Sequence, residues 1–368
     1  MSSQQQARKT TEGEPLIELE NVTVQFGRDS SWLNRLGIGI DLGGESTMVR
    51  AVDDVSLELE ENDVVALVGE SGCGKTTLGK AAIGVHRPTT GTVSFRGQDI
   101  WAARDEIGDV EIPFGEIRKS LQIIHQDPGS SLNPNKRVIS SLSKPLSKWQ
   151  PDMPRDARET RIYELLERVG MSPAQDYANR YPHQLSGGEK QRVALVRALL
   201  MNPDLILADE AISALDVSLR IEMMDLLLEL QEVFNTSYLF ISHDLSNARY
   251  IAEKADGRIG VMYLGKLVEI GPVDQIINDP RHPYTQVLRW ATPHLEETGQ
   301  TEPPIRKIDI PDPVNPPAGC RFHTRCPEAR ELCAVQYPTS FDVGSDHDVA
   351  CFRVEEDHEY WDSDPIED

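Results

Sequence analysis

The stretch GESGCGKTT, residues 69–77, holds the residue types that phosphate binding requires. It fits the pattern G-x-x-x-x-G-K-[ST], and it lies between the apolar run VVALV and a predicted helix. Its glycines let backbone N–H groups curl around phosphate oxygens, Lys75 can reach the terminal phosphates, and the Thr76 hydroxyl can bind Mg²⁺. The sequence therefore predicts a nucleotide site formed by Gly69, Glu70, Ser71, Gly72, Cys73, Gly74, Lys75, Thr76 and Thr77.

Two apolar segments end in side chains that suit the same chemistry. The run LILAD ends at Asp209, and Glu210 follows it directly. An aspartate in this place can hold the Mg²⁺ shell, and the glutamate beside it can orient or deprotonate an attacking water. His243, in ISHD, ends the next predicted strand, where strand tips gather around a ligand. Taken alone, a histidine at a strand end is more often structural.

The segment LSGGEKQRVALVRALL, residues 185–200, predicts a helix whose start is open to a ligand. Ser186 can cap this helix, and Gly187 and Gly188 leave its first backbone N–H groups uncovered. A helix start of this kind attracts phosphate. The alternative is a plain capped helix with a basic face.

Four of the five cysteines lie near the end of the chain, at Cys320, Cys326, Cys333 and Cys351. Their spacing lacks the C-x2-C pairs of zinc ribbons, so it favours zinc only weakly. Four thiolates can also hold a [4Fe–4S] cluster, whose ligand spacings vary more widely. A [4Fe–4S] cluster, Zn²⁺, and reduced structural or redox-switching thiols therefore all stay open. We expect His323 and His347 not to be ligands.

The composition limits the function classes. The 368 residues contain 37 basic and 60 acidic side chains, a net charge of −23, which argues against a bare nucleic-acid binder. Such charge suits a salt-rich cytoplasm, because concentrated salt screens the repulsion between acidic groups. The sequence has no run of about 18 apolar residues, and its polar start lacks the core of a secretory signal. These features predict an intracellular chain that does not span a membrane.

Strand-like and helix-like segments alternate along the chain, which predicts a mostly parallel sheet. Residues 16–26 alternate apolar and polar side chains as an edge strand does. The predicted divisions are a disordered N-terminus (1–15), a nucleotide-binding domain (16–292) with a helical subdomain (about 127–190), a C-terminal extension (293–353) and a disordered acidic tail (354–368). The tail contains eight Asp or Glu residues, which is why we expect it to be disordered.

The order of these segments resembles that of the ATP-binding cassette (ABC) ATPases, from about residue 16 to residue 353. The resemblance implies that Gln126, in IIHQDP, touches Mg²⁺ and senses a transmembrane partner. It implies that Ser186 to Glu189 close over the γ-phosphate bound by another subunit, and that Asp216, in SALD, lies at the dimer seam. Phe26 is the nearest candidate for an adenine-stacking aromatic. The implied Mg²⁺ ligands are Thr76, Gln126 and Asp209, and the implied catalytic residues are Glu210 and His243.

More narrowly, the chain resembles the ATPase subunits of dipeptide, oligopeptide and nickel importers. The residues that carry this resemblance are SLNP (131–134), RYPHQLSGGE (180–189), HPYTQVL (282–288) and PPAGCRFHTRCP (316–327). It implies an α/β fold, with a P-loop core of mixed sheet and flanking helices, a helical subdomain and a small cysteine-containing extension. It also implies a second ATPase subunit, which we expect to be a paralogue, two transmembrane permease subunits, a solute-binding protein, and a place at the cytoplasmic face of the membrane. Some such subunits with this terminal motif look to bind an iron–sulfur cluster.

Three positions, in two motifs, depart from the family pattern. The fifth signature place is usually Gln and here is Glu189, and the acidic pair is usually followed by Pro-Thr but here by Ala211 and Ile212. Neither change removes a group that does chemistry, so we expect a competent ATPase. The alternative functions are a soluble, non-transport cassette ATPase of the repair or translation type, and a metal- or redox-sensing regulator.

Overall fold

The computed structural model describes residues 14–27, 48–292, 304–306 and 309–366. The prediction of a disordered N-terminus for residues 1–13 and the start of the predicted extension, most of residues 293–308, lie outside the described residues. The strands, in chain order, are β1 (Ile17–Gly27), β2 (Met48–Leu59), β3 (Val64–Val68), β4 (Thr90–Phe95), β5 (Gln98–Asp99), β6 (Leu121–Ile124), β7 (Leu205–Asp209), β8 (Ser237–Ile241), β9 (Arg258–Tyr263), β10 (Lys266–Pro272), β11 (Phe341–Asp342) and β12 (Asp348–Val349).

The helices lie between these strands in the order that the sequence predicts. They are α1 (Lys75–Ala82), α2 (Ile100–Asp105), α3 (Phe114–Ser120), α4 (Val138–Trp149), α5 (Arg155–Arg168), α6 (Ala174–Asn179), α7 (Gly187–Leu199), α8 (Val217–Phe234), α9 (Leu245–Lys254), α10 (Val273–Asn278), α11 (Pro283–Trp290) and α12 (Glu331–Val335). In the described part of the chain, no helix is both long and apolar enough to cross a membrane.

An eight-stranded sheet forms the centre of the molecule, in the spatial order β11-β12-β10-β9-β3-β8-β7-β6. The five strands from β9 to β6 are parallel, and the three at the other side are antiparallel. Every residue of β3, β7 and β8 is buried. Continuous apolar runs of this kind are typical of parallel strands that are covered on both faces. The predicted mixed sheet with flanking helices is therefore confirmed.

A second, antiparallel sheet has the order β2-β1-β4-β5 and packs against the central sheet through α1. The sequence pattern correctly places a strand at residues 16–26, but the prediction of an edge strand is wrong. β1 pairs with β2 on one side and with β4 on the other. Its polar side chains alternate outward because this sheet is covered on one face only, which produces the same pattern as an edge.

The helices α4, α5 and α6 form a separate group on one side of the central sheet. Their buried residues Leu142, Ile162 and Leu166 belong to one cluster with residues of α7. The spacing of Leu165, Leu166 and Val169 predicts α5, and the structure buries all three side chains. The division of the chain into a helical subdomain at about 127–190 remains a prediction.

The C-terminal extension and part of the acidic tail pack on the nucleotide-binding domain and on each other. The prediction of a disordered tail is wrong for residues 354–366, because aromatic side chains anchor them. Tyr360 is only 2% exposed. Its hydroxyl donates to the Glu328 carbonyl at 2.6 Å, and the Arg330 guanidinium lies over its ring at 5.2 Å. These contacts hold the segment in place despite the repulsion between the surrounding carboxylates.

A buried polar cluster joins the extension to the middle of β10. Glu269 is 1% exposed and accepts the backbone N–H groups of Arg281 at 2.7 Å and His282 at 3.1 Å. His347, from the extension, places Nε2 at 2.8 Å from the same carboxylate. His282 in turn caps α11, because its Nδ1 accepts the Tyr284 N–H at 3.0 Å. Full burial, and to a lesser degree the positive charge of Arg353, lower the pKa of His282 to about 3.

This buried histidine predicts a loss of stability in mild acid. The unfolded chain binds a proton at His282 as the pH falls below the ordinary value of 6.5, whereas the folded chain does not until about pH 3. Within that window the unfolded state holds one more proton, so the free energy of unfolding should fall by about 1.4 kcal/mol per pH unit from this group. The measurement is denaturant unfolding at several pH values between about 6.5 and about 4.5.

The control variant is His282→Asn, which keeps a capping acceptor for the Tyr284 N–H but cannot titrate. Its free energy of unfolding should depend less steeply on pH than that of the wild type. Equal slopes for the two proteins would contradict the assignment of the acid sensitivity to His282.

Candidate active site

The phosphate-binding loop (residues 69–77) connects β3 to α1, and its glycines are required by close backbone contacts. Gly69 has φ +148°, and a Cβ there would lie 2.1 Å from the Met262 carbonyl oxygen. Gly74 has φ +107°, and its Cβ would lie 2.1 Å from the Ala51 carbonyl oxygen. No side chain fits at either position, so the loop keeps its backbone bare on the way into α1.

Lys75 begins α1 and is buried inside this loop, with 4% exposure. Its Nζ donates to the carbonyls of Gly69 at 2.7 Å and Glu70 at 3.0 Å. The ammonium group is therefore already held at the loop that would surround a polyphosphate. Burial raises the pKa of the nearby Cys73 thiol, which keeps it protonated as a small packing group beside Gly69.

The acidic pair lies at the carboxyl end of β7, next to the start of α1. Thr76 Oγ1 donates to Asp209 Oδ1 at 2.6 Å, and Lys80 Nζ lies 3.6 Å from Asp209 Oδ2. Asp209 is 6% exposed. A hydroxyl and a buried carboxylate held this close are oxygen ligands of the type that Mg²⁺ prefers. The donor set fits Mg²⁺.

Glu210 is held by two polar side chains from other elements. Gln126 Nε2 donates to its Oε2 at 3.2 Å, and His243 Nδ1 lies 3.3 Å from the same oxygen. The backbone of Glu210 has φ +49°, a left-handed conformation that a non-glycine residue adopts at an energetic cost. The structure thus brings Gln126, Glu210 and His243 together at the edge where β6, β7 and β8 end.

The signature residues and Asp216 make their contacts at their own helix starts. Ser186 Oγ accepts the Glu189 N–H at 3.2 Å, and a Glu189 carboxylate oxygen accepts the Ser186 N–H at 2.6 Å. This reciprocal pair confirms the predicted helix cap. Asp216 caps α8 by accepting the Leu219 N–H at 3.1 Å. None of these contacts reaches the phosphate-binding loop in the residues that the structure describes.

Glu189 carries a negative charge at the signature. Burial alone would raise its pKa, but hydrogen bonds from Ser186 and the charge of Arg180 bring the pKa of this carboxyl below its usual range. The other two departures, Ala211 and Ile212, are buried apolar residues. Both belong to the hydrophobic core cluster, and neither position supplies a polar side chain to the site.

Phe26 lies near the end of β1 with 44% of its surface exposed. Its ring meets the His86 ring edge-on, with 5.5 Å between the centroids. An exposed aromatic ring is available for stacking, but its role with adenine remains a prediction.

Sequence reasoning missed two residues that contact the phosphate-binding loop from the C-terminal part of the chain. The Glu70 N–H donates to the Tyr284 hydroxyl at 2.9 Å. Arg325 Nη1 donates to both carboxylate oxygens of Glu70, each at 3.1 Å. Both residues lie inside segments that carry the importer resemblance, HPYTQVL and PPAGCRFHTRCP. The sequence therefore marked these segments as typical of the family but did not show that they contact the phosphate-binding loop.

The four C-terminal cysteines line one narrow, mostly apolar cavity together with Phe322, Phe352 and Tyr360. All five cysteines of the chain are free. Burial raises the pKa of Cys326 to about 12 and that of Cys351 to about 11, so the thiols are protonated without a bound cation. Across the described residues, no group of three or more Cys, His, Asp or Glu side chains is arranged to hold a metal ion.

Comparison with known proteins matches two regions of the chain to family models. Residues 52–213 match the model described as ABC transporter, and residues 268–333 match that described as oligopeptide/dipeptide transporter, C-terminal region. The second match contains both Tyr284 and Arg325.

Curated relatives match most of the chain. It is 44% identical over 305 residues to the oligopeptide transport ATP-binding protein AppF of Bacillus subtilis, covering 82% of this chain and 89% of AppF. It is 40% identical over 310 residues to the dipeptide transport ATP-binding protein DppF of Escherichia coli, covering 84% of this chain and 89% of DppF.

Solved structures share the fold. The ATP-binding cassette MJ0796, in a dimeric post-hydrolysis state with ADP and Pi, is 28% identical with a TM-score of 0.56, covering 70% of this chain and 98% of that one. CbiO1 of Clostridium perfringens has a TM-score of 0.57 at 22% identity, covering 76% of this chain and 96% of that one. The assembled phosphate loop, acidic pair and signature helix agree with these matches. The chain is an ABC ATPase and belongs to the family of oligopeptide and dipeptide transport ATP-binding proteins.

Proposed function

We propose that this chain is the ATP-hydrolysing subunit of an importer for dipeptides, oligopeptides or related solutes. The observation that carries the proposal is the match of residues 268–333 to the C-terminal region of oligopeptide/dipeptide transporters, since that region contacts the ATP site. The subunit acts at the cytoplasmic face of the membrane. It works with a second ATPase, with two permease subunits, and indirectly with a solute-binding protein.

The proposed division of labour follows from the contacts within the chain. The phosphate-binding loop and Lys75 bind the triphosphate, and Thr76, Asp209 and Gln126 would hold Mg²⁺, which would neutralise phosphate charge when bound. Glu210 accepts the proton of the attacking water. His243 orients the Glu210 carboxylate. Its position beside a carboxylate oxygen of this base supports that role.

Two half-sites are proposed because the signature residues make no contact with the phosphate-binding loop of their own chain. Ser186 to Glu189 and Asp216 would then act on the nucleotide of the partner ATPase. The start of α8 supports this, since Val217 is 69% and Ile221 is 42% exposed. Apolar side chains beside a dimer-seam residue suit burial against a second subunit.

We predict that Glu210→Gln lowers the ATPase rate of the assembled transporter by about a thousandfold, because an amide keeps the shape but cannot accept the proton. ATP binding should persist. The matched control is Glu253→Gln, an exposed carboxylate paired with Arg249 one turn away, which should keep the wild-type rate.

The measurements are ATP hydrolysis and peptide uptake in vesicles that contain the purified permease and both ATPases. An undiminished rate in Glu210→Gln would overturn the assignment of the base. Failure of the wild-type chain to co-purify with any membrane permease would overturn the importer function and favour the soluble ATPase.

We further propose that Cys320, Cys326, Cys333 and Cys351 hold a [4Fe–4S] cluster that fixes the fold of the extension, with Zn²⁺ as the alternative. The proposal is supported by four free thiols lining a single apolar cavity. Protonated thiols do not ligate metals, so binding would release protons and stabilise the folded extension.

The prediction is about four iron atoms and about four acid-labile sulfides per chain in protein purified without oxygen. Metal and sulfide analysis of the intact chain provides the measurement, with the Cys333→Ser variant as its control. One zinc and no sulfide would replace the cluster with the alternative. Neither metal would leave thiols only and contradict both.

The charge of −23 supports adaptation to concentrated salt. In the structure, nine acidic residues and two arginines line one surface groove; the acidic residues are Glu58, Glu60, Glu61, Asp63, Glu253, Asp256, Asp274, Asp346 and Asp348. In dilute salt these carboxylates repel one another over a longer distance.

We therefore expect the chain to lose its fold in about 0.1 M KCl and to keep it in about 3 M KCl. Far-ultraviolet circular dichroism measures the change. An identical spectrum at both salt concentrations would contradict the proposed salt adaptation.

A further inference from the structure

All three polar groups of Glu70, the second residue of the phosphate-binding loop, are bound by other residues. Its N–H donates to the Tyr284 hydroxyl at 2.9 Å, and its carbonyl accepts from Lys75 Nζ at 3.0 Å. Its two carboxylate oxygens both accept from Arg325 Nη1 at 3.1 Å. The loop residue is therefore fixed from two sides, by the lysine of the loop itself and by the C-terminal part of the chain.

Burial and aromatic contacts hold the Arg325 side chain in place at Glu70. Its side chain is 5% exposed, against 25% for that of Glu70. The guanidinium lies over the rings of Tyr263 and Phe322, at 5.7 Å and 5.6 Å from their centroids, and Nη1 also lies 3.3 Å from the Tyr263 hydroxyl. A planar cation packed against two aromatic rings and bonded to a carboxylate has few other orientations available.

The charge of Glu70 gives this contact its significance. A carboxylate within a loop that binds a triphosphate opposes the approach of the polyanion, and in a partly buried place that repulsion is weakly screened. Arg325 supplies the opposite charge at hydrogen-bonding distance. Its pairing leaves the loop with no uncompensated negative charge from Glu70.

A second arginine of the extension, Arg321, supports the loop indirectly, through the backbone of residues 264 and 265. Arg321 bonds to the carboxylate of Asp53 and to the carbonyl of Leu264. The Gly265 N–H, one residue further on, donates to the carbonyl of Cys73 in the loop at 2.8 Å. Both arginines lie between Cys320 and Cys326, so one short segment of the extension supports the loop at two points.

We infer that Arg325 is a positioning residue for ATP binding, which neutralises Glu70 and holds the phosphate-binding loop in shape from the C-terminal extension. The inference concerns ATP affinity only and does not depend on what the transporter imports.

The test is the Kd for ATP, measured by calorimetry with Mg²⁺ on the full chain as the wild type and as four variants. Arg325→Gln should bind ATP about tenfold more weakly, as expected when the carboxylate of Glu70 is left without its opposite charge beside a polyanion. The double variant Glu70→Gln, Arg325→Gln should regain most of that loss, because the uncompensated carboxylate is gone. The weakening in Arg325→Gln should also shrink as salt is raised.

The matched control is Arg330→Gln. Arg330 lies in the same extension and bonds to the carbonyls of Trp361 and Ser363, away from the loop. It should destabilise the chain without changing the Kd for ATP. A double variant as weak as Arg325→Gln would show that the effect is a general loss of packing and would overturn the inference, as would an unchanged Kd in Arg325→Gln.

Glu70→Gln alone keeps the test usable if Arg325→Gln does not fold. With the carboxylate removed and Arg325 still in place, the guanidinium has lost its opposite charge, so ATP should bind more tightly than to the wild type. A Kd equal to that of the wild type or weaker would contradict the proposed role of Arg325 in cancelling the charge of Glu70.

Discussion

The parallel pairing of β3 with β8, and of β8 with β7, is the constraint on which the rest of the structure depends. Leu67 pairs with Ile241, and Asp209 also pairs with Ile241, so the three strands end level with one another. Because all three are buried and apolar, a slip in register would bury polar groups or expose the core. Their level ends are what bring Gly69, Glu210 and His243 to one edge of the sheet.

The loop shape follows from that alignment together with a few close backbone contacts. Gly69 and Gly74 pass carbonyl groups of Met262 and Ala51 at distances that exclude any Cβ. Lys75 then satisfies loop carbonyls that would otherwise point at one another. Packing of the main chain thus sets the shape of the site. Only a few side chains act on the nucleotide.

Local patterns in the sequence were sufficient for features that depend on neighbouring residues. The phosphate-binding loop, the Ser186 cap, and Asp209 at the end of β7 all belong to this class. The position of β1 was missed, since covering one face of a sheet gives the same alternation as an edge. The packing of residues 354–366 was missed because composition counts charges and does not show where Tyr360 is anchored.

The contacts of the C-terminal segments could not be predicted for a different reason. Tyr284 and Arg325 lie 214 and 255 positions from Glu70, and no period or cap relates residues so far apart. The assembled fold alone brings them to the loop. Roles that require a second subunit, such as those of Ser186 and Asp216, are likewise invisible in the local pattern and came from the family resemblance.

The bond between Arg325 and Glu70 has a thermodynamic consequence, because coupling between two sites is reciprocal. If the extension increases the affinity for ATP, then bound ATP must stabilise the extension by the same free energy. A nucleotide-loaded subunit would keep its C-terminal segment docked more of the time than an empty one. In each turnover, the cysteine-lined segment would then dock more tightly while ATP occupies the phosphate-binding loop and less tightly when the loop is empty.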